Sequence, residues 1–151
     1  MPGLVLKLRS GDGLIINGAA LRFRTRTIVE IPAKADLLYG KQILAPEEAT
    51  TPARRLYAAL QNAYITSAEE RFCYLERAVA LARDFALATT SPTAQRLAAA
   101  IEQSATAGAF YPALRLCRRL IAHEDAVLAA ARDASAALTD PTEPSPEGVA
   151  P

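Results

Sequence analysis

The chain has 151 residues, 51% of them hydrophobic and 22% charged, which gives room for one buried core or two small abutting ones. No window approaches twenty uninterrupted apolar residues, and the opening Met-Pro-Gly-Leu-Val-Leu-Lys-Leu-Arg lacks a signal peptide's basic start, apolar run and cleavage site, so the expectation is a cytoplasmic chain with no membrane span. The net charge of +1 hides an asymmetry: residues 1–45 carry seven basic and three acidic side chains, a net +4, whereas residues 46–151 carry ten and thirteen, a net −3. The first part therefore suits an anionic partner, and the second suits packing or protein contact.

Leu4, Leu6 and Leu8 alternate with Val5, Lys7 and Arg9, the two-residue period of a half-buried strand. Ser10-Gly11-Asp12-Gly13 is turn chemistry, and Leu14-Ile15-Ile16 reads as a second strand. Asn17-Gly18 follows as a type I′ hairpin signal, because both residues tolerate positive φ. A third strand runs from Ala19 to Arg24 or beyond, with Leu21 and Phe23 on the core face and Arg22, Arg24 and Arg26 opposite. Thr27 to Ile31 then puts Val29 and Ile31 on the core side. A tight turn near Arg24-Thr25-Arg26 would divide these runs and crowd the three arginines at a hairpin tip instead of a sheet face. Pro32 ends the run. Leu37-Leu38-Tyr39 and Ile43-Leu44 supply one or two closing strands around Gly40.

From Thr51 the period becomes helical. Thr51 is the expected N-cap and Pro52 the first helical residue, with Leu56, Ala59, Leu60 and Ala63 as the core stripe and Tyr57 and Tyr64 along its edge. Arg54 and Arg55 fall in the first turn, where the helix dipole disfavours cations. Glu47 and Glu48, or a bound phosphate, would relieve them. Ser67-Ala-Glu-Glu70 matches a capping box ahead of a second helix on Phe72, Leu75, Val79, Ala82 and Ala86. Ser91-Pro92 opens a third on Leu97 and Ile101, ended by Gly108. A fourth runs from about Phe110 to Leu138, with Leu114, Cys117, Ile121 and Leu128 on one face, Arg115, Arg118 and Arg119 on another, and an alanine-rich later part. Residues 139–151 hold four of the ten prolines and are expected to be a disordered tail.

The expected architecture is thus α+β: a basic β-module over residues 1–45 built on a small antiparallel sheet, with barrel closure left open, then a helical module of about four helices over 46–138 and the tail over 139–151. Catalytic chemistry is not expected. His123 is the single imidazole and reads as a surface helix residue beside Glu124 and Asp125, and no phosphate loop, dinucleotide fingerprint or metal-spaced set is present in the sequence. Cys73 and Cys117 read as buried thiols, neither disulfide-bonded nor zinc-binding. No cofactor, metal or small-molecule substrate is expected.

Leu6, Leu8 and Gly11, Ile-Ile-Asn-Gly-Ala at 15–19, Ile-Leu-Ala-Pro-Glu-Glu-Ala at 43–49, Thr-Thr-Pro-Ala-Arg-Arg-Leu-Tyr at 50–57 and Tyr-Pro-Ala-Leu at 111–114 together resemble the flagellum biosynthesis repressor family FlbT over about residues 3–125. The sequence departs from that pattern at Arg22 to Arg26, where a Gly-containing polar hairpin tip is expected. The resemblance implies a regulator without catalytic activity that associates with the 5′ untranslated region of flagellin messenger RNA, promotes its decay, and works beside a second small regulator, FlaF. A shorter stretch from Leu4 to Gly18 is similar to the start of the carbon storage regulator family, β-rich RNA-binding dimers, which leaves RNA binding or homo-oligomer formation through the sheet open.

The candidate RNA contacts are Lys7, Arg9, Arg22, Arg24 and Arg26, with Arg54 and Arg55 adding charge at the junction, because guanidinium forks match phosphate oxygens and displaced counterions favour binding. The competing reading is a protein-binding adaptor or chaperone that grips flagellin or FlaF in an amphipathic helical groove and affects messenger RNA only indirectly.

Overall fold

The computed structural model describes residues 3–138, so the expectation for the tail at 139–151 lies outside the described residues. Five strands precede four helices: β1 (Leu4–Leu8), β2 (Gly13–Ile16), β3 (Ala19–Arg22), β4 (Thr27–Ile31), β5 (Leu37–Tyr39), α1 (Pro52–Ile65), α2 (Arg71–Ala88), α3 (Pro92–Thr106) and α4 (Phe110–Leu138). The strands form two antiparallel sheets, a β1–β4 ribbon and a three-stranded sheet in the order β3–β2–β5, and neither closes into a barrel. The chain changes sheet at the Arg24-Thr25 bend, the tight turn that the sequence allowed. Asn17 and Gly18 take φ of 49° and 84°, as a type I′ turn requires.

The apolar run of β2 is explained by burial on both faces. Leu14 joins Leu6, Leu8 and Ile31 in a small core between the sheets, while Ile15 pairs in register with Leu38, and Leu38 belongs to the core of the helices. The three-stranded sheet is therefore the middle layer of ribbon, sheet and helical bundle. β3 is an edge strand with all four residues exposed, so Leu21, expected in the core, is 47% exposed. Ile43-Leu44 is not a strand: the Gln61 side chain takes the place of a neighbouring strand, its Oε1 accepting from Leu44 N–H at 2.8 Å and its Nε2 donating to Leu44 C=O at 3.0 Å.

The helices form a ring in which α1 packs on α2 and α4, and α3 on α2 and α4. Leu56, Leu60, Ile101, Leu114, Cys117 and Leu120 fill its centre, and buried alanines at 53, 59, 78, 82, 94, 105 and 113 bring the axes close. Thr51 Oγ1 accepts from Arg54 N–H and Ser91 Oγ from Ala94 N–H, so both predicted caps form. Ser67 forms no such cap: α2 starts at Arg71, and it is the Thr66 hydroxyl that donates to the Glu70 carboxylate, at 3.2 Å. Alanines, not the large residues, form the buried stripe of α2, namely Ala78 and Ala82, which leaves Phe72 64% exposed and Cys73 exposed, contrary to expectation. Cys117 is buried as expected. On α4 the stripe runs through Leu120 and ends at Glu124, leaving Ile121 half-buried and Leu128 40% exposed, because the helix leaves the bundle there. His123 is half-buried with Nε2 shielded from solvent, not on the open surface.

Candidate nucleic-acid interface

The junction between strands and helices fixes where the cations can point. At the start of α1, Thr51 serves one orphan amide, and Glu124, 71 residues further on, serves a second by accepting from Ala53 N–H at 2.9 Å. The first-turn arginine finds its anion on α4: Arg54 makes a two-pronged contact with Asp125, Nη1 at 2.7 Å and Nη2 at 3.0 Å, with Glu124 3.9 Å away. This pairing raises the Arg54 guanidinium above its ordinary value and lowers the Asp125 carboxyl below the usual range. Of the expected acids, Glu48 adds only the weakest of the attractions on Arg54 and spends its carboxylate on Ala45 N–H at 3.2 Å, closing its own short turn. Glu124, which looked exposed in the sequence, is 8% exposed. Arg54 is thus a tie between helices, while Arg55 beside it is exposed.

A polar row on α1 holds the strands in place. Gln61 grips Leu44 as described, Tyr64 Oη accepts from Leu37 N–H at 3.0 Å, and Tyr57 Oη donates to Gln42 C=O. Arg118 completes the clamp from α4, with its guanidinium 5.6 Å over the Tyr57 ring and Nη2 donating to Lys41 C=O at 3.0 Å. Burial is the main reason the Tyr57 phenol is raised, and the Arg118 hydrogen bond opposes it. The Cys117 thiol donates to Ala53 C=O at 3.4 Å, and burial pushes it far above its ordinary value, which makes it chemically quiet.

The predicted cations are all exposed except Arg54, but they do not share one strip. β1 pairs with β4, not with β3, so Lys7 on β1 and Arg9 just after it belong to the ribbon, whereas Arg22 lies on the other sheet opposite Gly13. Arg24 and Arg26 flank the bend, and Arg24 C=O accepts from Ser10 Oγ at 2.8 Å, which brings that bend against the turn after Arg9. Among the described residues none of these five enters an ion pair. Lys7 and Arg9 instead line a cleft of about 700 Å³ with Lys41 and Tyr39, and with Asp12 and Glu48 as its acids.

Arg118, which reaches Lys41 C=O, lines a hollow of about 460 Å³ with Arg115 and Arg119, and a smaller cleft shares Gln42 with the first region and Arg115 and Arg118 with this one, and also contains Tyr111. The resulting band of cations crosses from strands to helices and carries two tyrosines, Tyr39 half-buried and Tyr111 38% exposed. The sequence held one sign of it, the i, i+3, i+4 spacing of Arg115, Arg118 and Arg119; only the fold brings them to Lys41. Among the described residues no cluster of three metal-ligating side chains occurs, and no helix is long and apolar enough to cross a membrane.

The family model for the flagellar protein FlbT matches residues 4–128. A probable flagellum biosynthesis repressor protein FlbT from Caulobacter vibrioides (strain NA1000 / CB15N) is 32% identical over 123 residues, covering 81% of this chain and 86% of that protein. Its counterpart in Caulobacter sp. (strain K31) is 34% identical over 123 residues, covering 81% and 93%. One from Brucella anthropi is 40% identical over 67 residues, covering 44% of each chain. No solved structure matches the chain.

Proposed function

The chain belongs to the FlbT family of flagellar proteins, and from that premise we propose that it represses flagellum biosynthesis after transcription, by associating with the 5′ untranslated region of flagellin messenger RNA and promoting its decay. The observation that supports this reading is the cationic band of Lys7, Arg9, Lys41, Arg115, Arg118 and Arg119 interleaved with Tyr39 and Tyr111. Guanidinium groups suit phosphate oxygens, and tyrosine faces suit unstacked bases of a single-stranded leader. Arg22, Arg24 and Arg26 extend the positive surface at the β3–β4 bend, and Arg55 lies apart from it on the α1 surface. Arg54 contributes through the fold, since its charge is matched by Asp125.

Titrating purified protein with fluorescent leader RNA at several salt concentrations tests this. Affinity should fall on a logarithmic plot with a slope of about 0.7 per phosphate contacted, and replacing Arg115 and Arg119 by Ala should weaken binding and flatten that slope. Binding of FlaF or flagellin alone, with no uptake of leader RNA at any salt, would refute the reading and favour the adaptor.

A further inference from the structure

Arg54 finds its anion in Asp125, and the other first-turn arginine of α1 finds none. Arg55 is exposed and lines a hollow of about 410 Å³ between α1 and α2, together with Asn62 from its own helix, Tyr74 and Arg77 from α2, and a floor that includes Ala58 and Ala59. Helical spacing explains the convergence: positions 55, 58, 59 and 62 share one face of α1, and 74 and 77 lie one turn apart on α2, which packs against it. Methyl side chains at 58 and 59 leave the recess that larger residues would fill. No acidic residue lines it. Among the described residues the side chains of Arg55, Asn62, Tyr74 and Arg77 make no hydrogen bond and no ion pair. Other arginines of the bundle are engaged, Arg71 by the carbonyls of Ala63 and Thr66, Arg83 by Glu102, and Arg118 by Tyr57 and Lys41 C=O. Two like charges lining one hollow repel each other, and all four polar groups there can donate hydrogen bonds.

We propose that this hollow binds the phosphate of a small phosphomonoester, of the class of nucleoside monophosphates and sugar phosphates. Charge selects that group: two guanidinium groups match the charge of about −2 that a phosphomonoester carries near neutral pH, whereas a carboxylate or a backbone phosphodiester brings a single charge. Donor count agrees, because the terminal oxygens of a monoester accept from both guanidinium forks and from the Tyr74 hydroxyl or the Asn62 amide, while one fork already fills a carboxylate. The volume lies within the ~300–1,000 Å³ of small-molecule sites, and the Tyr74 ring and the alanine floor cover the body of the ester. The site is independent of the RNA reading, since Tyr57, Gln61 and Tyr64, which hold the strands, project from a different face of α1.

Calorimetric titration of the full-length protein tests this, with adenosine 5′-monophosphate and ribose 5-phosphate as probes and with adenosine and dimethyl phosphate as controls. The two esters should bind and the controls should not. Arg55→Gln and Arg77→Gln, changes at exposed positions, should each weaken binding by about tenfold or more, and Arg55→Lys, which keeps the charge without the fork, should fall between parent and Arg55→Gln. Unchanged far-UV circular dichroism shows that these variants are folded. Replacing Arg115 and Arg119 by Ala should leave ester binding as it is. Failure of both esters to bind, or equal affinity in parent and Arg55→Gln/Arg77→Gln double variant, would overturn the site. Dimethyl phosphate binding as tightly as the esters would overturn the dianion assignment, and a phosphoserine peptide binding where neither ester does would overturn the small-molecule assignment. Displacement of adenosine 5′-monophosphate by leader RNA would make the hollow part of the RNA surface and overturn its independence.

Discussion

Removing the Glu124 carboxylate should cost more than removing any surface charge of this protein. Glu124 is 8% exposed, and its Oε2 is an acceptor for Ala53 N–H at 2.9 Å, a donor on a residue that is itself fully buried. In Glu124→Ala that amide loses its partner inside the protein, which costs about 1–3 kcal/mol, and the favourable placement of a carboxylate at a helix N-terminus, up to ~2 kcal/mol in a partly buried setting, goes with it. These contributions overlap, so the expected loss is about 3 kcal/mol, or roughly 10 °C in Tm for a chain of this size. Glu124→Gln keeps the shape and an acceptor oxygen and should cost only about 1 kcal/mol. Asp125→Ala is the control: its partner Arg54 is the same, but the Asp125 side chain is 49% exposed, and solvent screening limits the loss to under ~1 kcal/mol. Urea unfolding followed by far-UV circular dichroism reads all three as shifts in midpoint at constant slope. If Glu124→Gln were as damaging as Glu124→Ala, or if Asp125→Ala exceeded both, buried capping would not be what joins α1 to α4.

Gln61→Leu should destabilise by about 2 kcal/mol, because the N–H and C=O of Leu44 both lose a partner; faster hydrogen exchange at the Leu44 amide than in the core of α1 would locate the damage. Gly18→Ala places a Cβ 2.7 Å from Ile65 C=O at φ +84°, a strained position that should cost roughly 1–3 kcal/mol; a thermal melt unchanged from the parent would contradict the contact between the hairpin and the end of α1. Burial raises the Tyr57 phenol above its unfolded value, so the stability it confers is complete below the unfolded value of about 10 and is lost as pH rises through that value toward the folded one. Chemical denaturation between neutral pH and pH ~11 should therefore show a fall that is smaller in Tyr57→Phe, and equal slopes in the two proteins would remove Tyr57 as its source.

Local rules carried a large part of this fold. Thr51-Pro52 and Ser91-Pro92 start helices because capping and the fixed φ of proline act within one turn, and Asn17-Gly18 turns a hairpin because the requirement is two adjacent residues of positive φ. The bounds of α4 follow equally from Pro112 in the first turn and from alanine propensity at the far end. Patterning also gave the alternating burial of Leu6 and Leu8 and the stripe of Leu56 and Leu60. It misplaced Leu21, Phe72 and Cys73, since a periodic apolar face states what a strand or helix is able to bury and not whether a neighbour comes to cover it.

What the sequence by itself determined was the order of elements, the capped starts of α1 and α3, and the surplus of positive charge in the first 45 residues. What only the tertiary structure decided were the partners. Arg54 lay six residues from Glu48 in the chain and yet pairs with Asp125, because the α1–α4 packing puts a carboxylate at a helix start where one was needed. Lys41 meets Arg118 because Tyr57 and Gln61 clamp the 40–44 segment against α1. Both pairings join residues more than seventy positions apart, and no periodicity or cap preference reaches that far: charge and burial become complementary only when the layers have closed.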